Sequence, residues 1–275
     1  MFTSFENNPQ LVSAGFSVEA CRLMALASKI AYEKGSEANR LCVFHGADAF
    51  DFVDDSRTDT QLFIAARGLD VVVSFRGTED VRDAITDLQL RKVIWHGQLV
   101  HHGFAAAFAA IEERLHAILL NHFVTRSGDI RIWFTGHSLG GALTSLAVVA
   151  AREWGLPVHG VYSFGSPRVG SSEFAIHYDC KDLGLHDKTF RVVHEEDIVP
   201  RIISKAAGYT HVGQEIFLNA FGGVEVDPPL FGKVLSDGYG IWRAFLAKSC
   251  GKDALLDFLQ DHYINSYIER LNVNR

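Results

Sequence analysis

The 275-residue sequence predicts an α/β protein with a parallel or mostly parallel sheet covered by helices on both faces. Three observations carry that expectation. Short apolar, β-rich runs alternate with longer segments of helical periodicity. The hydrophobic share, 48%, is enough to bury a sizeable core. One strand-like run enters a serine flanked by glycines and leaves it directly as a helix.

Taken in order, Ser17 to Lys34 reads as an amphipathic helix, with Val18, Cys21, Met24, Ala27 and Ile30 at helical spacing. Gln61 to Ala66 and Asp70 to Phe75 are β-rich runs joined through Arg67, Gly68 and Leu69, which predicts a hairpin. Gly103 to Phe123 reads as one helix. Ile130 to Thr135 is a short apolar strand running into Gly136, and Leu139 to Trp154 follows as a helix rich in Ala and Leu. Val158 to Phe164, ended by Gly165, Ser166 and Pro167, is the next strand. Thr189 to His194 and Tyr209 to Leu218 complete the strands, and a helix from about Asp253 to Glu269 closes the chain. Asn219 to Lys248 is the least regular stretch and carries Phe221, Phe231, Tyr239, Trp242 and Phe245 among Gly and Pro. There is no repeat or low-complexity tract, so residues 1–275 are expected to form a single domain.

Composition narrows the function. Acidic residues number 33 against 26 basic, a net charge of -7, with no clustered Lys and Arg. Nucleic-acid binding is therefore not expected, since phosphate neutralisation needs such clusters. Cys21, Cys42, Cys180 and Cys250 form no C-x-x-C pair, and buried free thiols are the expectation. No apolar run approaches a membrane span. The opening MFTSFENNPQ lacks a basic start followed by an apolar stretch. A cytoplasmic location is the default expectation, with secretion left open.

Gly136-His137-Ser138-Leu139-Gly140 matches G-x-S-x-G, a pattern weak alone but specific between a strand and a helix. The sharp turn holds the serine in a costly backbone conformation, and side chains two positions either side would collide, so glycine is needed at both. The N–H of Leu139 would face the developing oxyanion, and the helix N-terminus favours that negative charge.

The wider sequence resembles the class 3 lipases, the fungal triacylglycerol lipase-like family. Thr135 to Ala142 resembles their elbow, Phe75-Arg76-Gly77-Thr78 their oxyanion strand, and Val100 to Phe104 their V-H-x-G-F. Phe164 to Gly170 resembles their F-G-x-P-R-V-G, His194 to Arg201 the segment of the acid, and Tyr209 to Gly213 their Y-x-H-x-G. The resemblance runs from about Cys21 to Tyr267 and implies an α/β-hydrolase fold, ester hydrolysis and no cofactor. It makes Ser138 the nucleophile, Asp197 the acid and His262 the base, with Thr78 and Leu139 as the oxyanion hole. It also makes Asp80 to Leu90 a lid, with Asp87 holding the Thr78 hydroxyl. Many fungal members have D-H-x-x-Y at the base, whereas Asp261-His262 is followed here by Asn265 and Tyr267.

The residues argue partly for themselves. Asp197 follows the strand Thr189 to His194, at the sheet edge where catalytic groups collect, while Glu195 and Glu196 read as exposed. Among 13 histidines, His211 is the rival base, because it also follows Asp197. It lies within the run Tyr209 to Leu218 and reads as a hydrogen-bonded core histidine, while His262 lies beyond the last strand. His101 and His102 lack the i, i+4 partner that a helical zinc site needs, so no metal is expected. Val81, Ala84, Ile85 and Leu88 share one helical face in the lid segment. Acylglycerols or simpler fatty acyl esters are the expected substrates, with a transient lipid–water interface as the partner. A short-chain or feruloyl esterase, a phospholipase A1 and a catalytically silent binding module are the alternatives.

Overall fold

The computed structural model describes residues 15–78, 80–81, 89–126, 129–194, 197–219, 223–228 and 262–272. Two helices open the chain, Val18–Ile30 (α1) and Gly35–Phe44 (α2). Ser17 starts the first by accepting a hydrogen bond from the Ala20 N–H at 3.3 Å. Three strands follow as an antiparallel meander: Ala49–Asp55 (β1), Thr60–Arg67 (β2) and Asp70–Phe75 (β3). Lys92–Trp95 (β4) and Gln98–His101 (β5) pair with each other in a separate hairpin. Then come His102–Ala109 (α3), Glu112–Thr125 (α4), Arg131–His137 (β6), Leu139–Glu153 (α5), Gly160–Phe164 (β7) and Ser172–Asp179 (α6). Thr189–His194 (β8), Val199–Ile202 (α7), Gln214–Leu218 (β9), Val224–Val226 (β10) and Ile264–Asn272 (α8) complete the described elements.

Among the described residues the main sheet runs in the order β1-β2-β3-β6-β7-β8-β9-β10. From β3 to β9 every neighbouring pair is parallel, with antiparallel pairing only at the two margins. The central strands are buried along their full length, as a sheet covered on both faces requires. Alternate side chains serve opposite cores. Val71, Val73 and Phe75 of β3 and Ile132 and Phe134 of β6 join α3, α4 and α5 on one face. Val72, Trp133 and Tyr162 join α1 and α8 on the other. This is the α/β-hydrolase architecture, and it places the C-terminal ends of β3, β6, β7 and β8 along one edge.

Several elements differ from their sequence expectations. The helix expected from Gly103 to Phe123 is two, because the wholly buried Ile111 leaves helical geometry (φ -121°, ψ -8°). Glu112 and Glu113 then restart the helix with negative charge at its N-terminus, where the dipole favours it. The first helix ends at Ile30 rather than Lys34, and α2, β1, β4–β5, α6 and β10 were not foreseen. The strand expected from Tyr209 begins only at Gln214, since Thr210 instead bridges to Gly170. Cys21 and Cys42 are buried free thiols, Cys180 is half-buried, and Cys250 lies outside the described residues. Most of Asp80 to Leu90 and of Asn219 to Lys248, together with Glu195 and Glu196, also lies outside them.

Candidate active site

Ser138 follows β6 directly and has φ 57°, ψ -127°, a left-handed conformation that a non-glycine residue adopts only at a cost. Its N–H is held by the Phe164 carbonyl at 2.9 Å. The flanking glycines are required by contact. A Cβ at Gly136 would lie 2.3 Å from the Gly140 carbonyl oxygen, and one at Gly140 would lie 2.3 Å from the Phe75 carbonyl oxygen. Helix α5 begins at Leu139, so positive backbone charge collects beside the serine.

The end of β3 runs against this turn. A Cβ at Gly77 would sit 2.6 Å from the His137 carbonyl oxygen and 3.2 Å from Ser138 Cβ. Thr78 follows, half-buried, and lines a cavity of about 320 Å³ with Tyr32, Val81, His137 and Tyr263.

Asp197 lies just past β8 and is completely buried. Its Oδ2 faces Nδ1 of His262 at 2.8 Å and accepts from the Tyr267 hydroxyl at 2.5 Å. Its Oδ1 accepts from the Val199 N–H at 2.8 Å. Burial alone would push this carboxyl up. The attraction of His262 and the hydrogen bonds from His262, Tyr267 and Val199 outweigh it, and the net shift is downward. An ionised Asp197 only accepts, so Nδ1 of His262 carries the proton. Among the described residues, Nε2 of His262 is buried with no hydrogen-bond partner. That nitrogen has its lone pair uncommitted, the state a proton acceptor needs.

The structure thus brings Ser138, Asp197 and His262 to one sheet edge, with Thr78 and Leu139 beside them. His137, next to Ser138 in the chain, lies beside His262 with ring centroids 4.5 Å apart and planes tilted by 35°. The rival His211 is elsewhere: its Nε2 donates to the Pro200 carbonyl at 2.9 Å, and burial, with Arg191 and Arg168 nearby, holds its pKa well below the ordinary histidine value. His101 caps α3 by accepting from the Phe104 N–H at 3.4 Å. Among the described residues no group of three or more His, Cys, Asp and Glu side chains could hold a metal ion.

Two contributors escape sequence reasoning. Tyr267 is visible there only as a shifted tyrosine after the base. Gly165 looks like a strand terminator, yet its φ is +60° and a Cβ on it would lie 2.6 Å from Asp197 Oδ2 and 2.9 Å from His262 Nδ1.

Residues 72–206 match the lipase (class 3) family, a span that holds the elbow, the Thr78 strand and Asp197. That segment belongs to the class 3 lipase family. The chain is 29% identical over 177 residues to a secreted mono- and diacylglycerol lipase A of Penicillium cyclopium, covering 62% of this chain and 56% of that protein. It is 32% identical over 155 residues to a lipase of Rhizomucor miehei, covering 54% of this chain and 41% of the relative. The chain spans about half the length of the curated relatives it matches. A solved triacylglycerol lipase whose catalytic centre is described as a serine protease triad superposes with a TM-score of 0.67 at 25% identity, over 76% of this chain and 83% of that one. The lipase of Rhizopus microsporus var. chinensis superposes with a TM-score of 0.62 at 26% identity, over 73% and 74%. Relatives such as those of Penicillium cyclopium and Fusarium solani are named as secreted, which gives no support to the cytoplasmic default. No described helix is long and apolar enough to cross a membrane.

Proposed function

We propose that this protein is a serine ester hydrolase that cleaves fatty acyl esters, acylglycerols first among them, through an acyl-enzyme on Ser138. The observation that carries the reading is the buried His262–Asp197 pair, joined at 2.8 Å, with Nε2 of the histidine uncommitted among the described residues beside the strained serine turn.

The chemistry follows from those atoms. His262 Nε2 accepts the Ser138 hydroxyl proton as Oγ attacks the ester carbonyl carbon. Asp197 keeps the imidazole in the Nδ1–H tautomer and stabilises the imidazolium that forms. The carbonyl oxygen becomes an oxyanion facing Thr78 and the Leu139 N–H. Collapse breaks the ester C–O bond, and His262 returns the proton to the leaving alcohol. Water then repeats the sequence and releases the acid.

Acylglycerols are favoured because relatives carry mono- and diacylglycerol lipase and triacylglycerol lipase names. Those same names weigh toward a secreted protein. The cavity lined by Thr78, Val81 and His137 opens beside Ser138 and offers room for an ester substrate.

The test is covalent. A fluorophosphonate probe should label the wild type on Ser138 alone, and Ser138→Ala should stay folded with only residual hydrolysis. Labelling that survives the substitution rejects the assignment. A profile of rate against acyl chain length separates a lipase from a short-chain esterase, and phosphatidylcholine as substrate tests for phospholipase A1 activity.

A further inference from the structure

His137 performs no step in the mechanism above, yet it is buried and both ring nitrogens are engaged. Nε2 lies 2.5 Å from the backbone carbonyl oxygen of His262, and Nδ1 lies 2.7 Å from the Tyr32 hydroxyl. A carbonyl oxygen only accepts, so Nε2 carries the proton. Burial, reinforced by the neighbouring His262, pushes the His137 pKa down to about 3. The ring is therefore neutral, Nδ1 is an acceptor, and the Tyr32 hydroxyl donates to it.

We propose that His137 is a positioning residue for the base. Its Nε2–H holds the main chain of His262 against the elbow, and Tyr32 fixes the tautomer that makes this hold available. The inference rests on His262 being the base.

The geometry explains why a second hold is needed. The bond to Asp197 fixes His262 at Nδ1 only, and a ring tied at one atom can still pivot about it. The carbonyl contact fixes the backbone, and the His137 ring lies beside the imidazole, centroids 4.5 Å apart at a 35° tilt. Together they aim Nε2. His137 is bonded to Ser138 in the chain, so the same residue references the base to its nucleophile. Three distant segments meet in one line of hydrogen bonds, from Tyr32 just past α1, through His137 at the end of β6, to His262 before α8.

The experiment compares kcat and KM for a soluble short-chain chromogenic ester across His137→Phe, His137→Gln, His137→Asn and His262→Ala, with melting temperatures for each. Phe fills the space but holds nothing. Gln carries its amide N–H near the Nε2 position, and Asn reaches only the Nδ1 position. His137→Phe should lose about 10- to 100-fold in kcat with KM nearly unchanged, because a base misaimed by a fraction of an ångström costs turnover more than binding. His137→Gln should recover most of that loss and His137→Asn should not. In the wild type, ¹⁵N NMR of the ring should report a neutral Nε2–H imidazole at pH 7. Wild-type kcat in His137→Phe overturns the proposal, as does an Nδ1–H tautomer. Should His137→Phe fail to fold, equal rates for the Gln and Asn variants overturn it instead. If His262→Ala keeps wild-type activity, the base assignment itself fails and the positioning role falls with it. An inactive His262→Ala beside a fully active His137→Phe overturns the positioning role alone.

Discussion

Tyr267 donates to Oδ2 of Asp197, the same carboxylate oxygen that faces His262 Nδ1. The tyrosine comes from α8, one turn past His262, so a single short segment supplies both the histidine and a support for the carboxylate it faces. Tyr267 is wholly buried, and its oxygen also accepts from the His194 N–H at 3.3 Å. Burial, followed by the charge of Asp197, raises the phenol pKa well above its ordinary value, so it remains a donor.

Tyr267→Phe should cost about 1.5 to 3 kcal/mol of stability, the range for a hydrogen bond to a charged group. It should also change the acid response. Asp197 is depressed in the folded protein, so its contribution is present above the unfolded carboxyl pKa and disappears as pH falls through the folded value. Losing one of the bonds that depress it raises the folded pKa. Urea titrations from pH 7 to pH 3 should show Tyr267→Phe unfolding at a higher pH than the wild type. Parallel curves offset by a constant would show that the tyrosine only packs.

Gly165→Ala should disable turnover with a smaller effect on folding. The added Cβ meets Asp197 Oδ2 and His262 Nδ1 inside contact distance, at a backbone φ of +60° that disfavours any side chain. We expect a stability loss of about 1 to 2 kcal/mol from the backbone alone. If His262 is the base, the kcat should fall by about 100-fold, since the ring shifts from its aim. Wild-type kcat in a folded Gly165→Ala variant would mean the pair tolerates displacement.

His211 and His262 should separate cleanly. His262→Ala should lose several orders of magnitude in rate and keep its cooperative melt. His211→Gln should keep its kcat. It should also flatten the pH dependence of stability, because His211 is held neutral in the fold and protonates in the unfolded chain. Such a depressed histidine contributes stability above its unfolded pKa of about 6.5 and loses it as pH falls. Denaturation at pH 7 and pH 5 should therefore differ less in His211→Gln than in the wild type. A rate collapse in His211→Gln would reverse the assignment.

The parts of this protein legible in sequence are those whose causes are local. The elbow follows from steric demands within five residues, and Gly136 and Gly140 answer them wherever the rest of the chain goes. The central strands are apolar runs because both their faces are covered. The place of Asp197 just past a buried strand follows from the apolar run before it. What escaped has non-local causes. β1 carries Asp51, Asp54 and Asp55 and reads as polar, yet it pairs through its backbone at the sheet margin. Ile111 breaks a helical run because the core claims its side chain. Gly165 is constrained by Asp197 and His262, which lie 32 and 97 residues later. Tyr267 reaches Asp197 from a helix, at a spacing after the base that differs from the D-H-x-x-Y pattern. His137 looks like a variable position in a pentapeptide until Tyr32 and His262 are set beside it.

Thr78 offers the most direct test of the oxyanion site. It follows Gly77, whose lack of a side chain allows the loop to within contact of Ser138 Cβ. The backbone N–H of Thr78 survives any substitution except proline, but the hydroxyl does not. Thr78→Val has nearly the same shape and lacks the donor, whereas Thr78→Ser keeps the donor and loses a methyl group. If the hydroxyl faces the oxyanion, Thr78→Val should lose about 100- to 1,000-fold in kcat, the cost of one missing oxyanion donor. KM should change little, because the negative charge exists only in the transition state and the tetrahedral intermediate. Thr78→Ser should retain most of the rate. A trifluoromethyl ketone inhibitor, which forms a charged tetrahedral adduct on the serine, should weaken in Thr78→Val by a similar factor. A product acid that never carries the oxyanion should bind both proteins alike. Should Thr78→Val turn over at the wild-type rate, the hydroxyl is not the donor and backbone N–H groups alone must hold the charge. Equal losses in Thr78→Val and Thr78→Ser would instead point to the methyl group and to packing against Val81 and Tyr32 across the cavity.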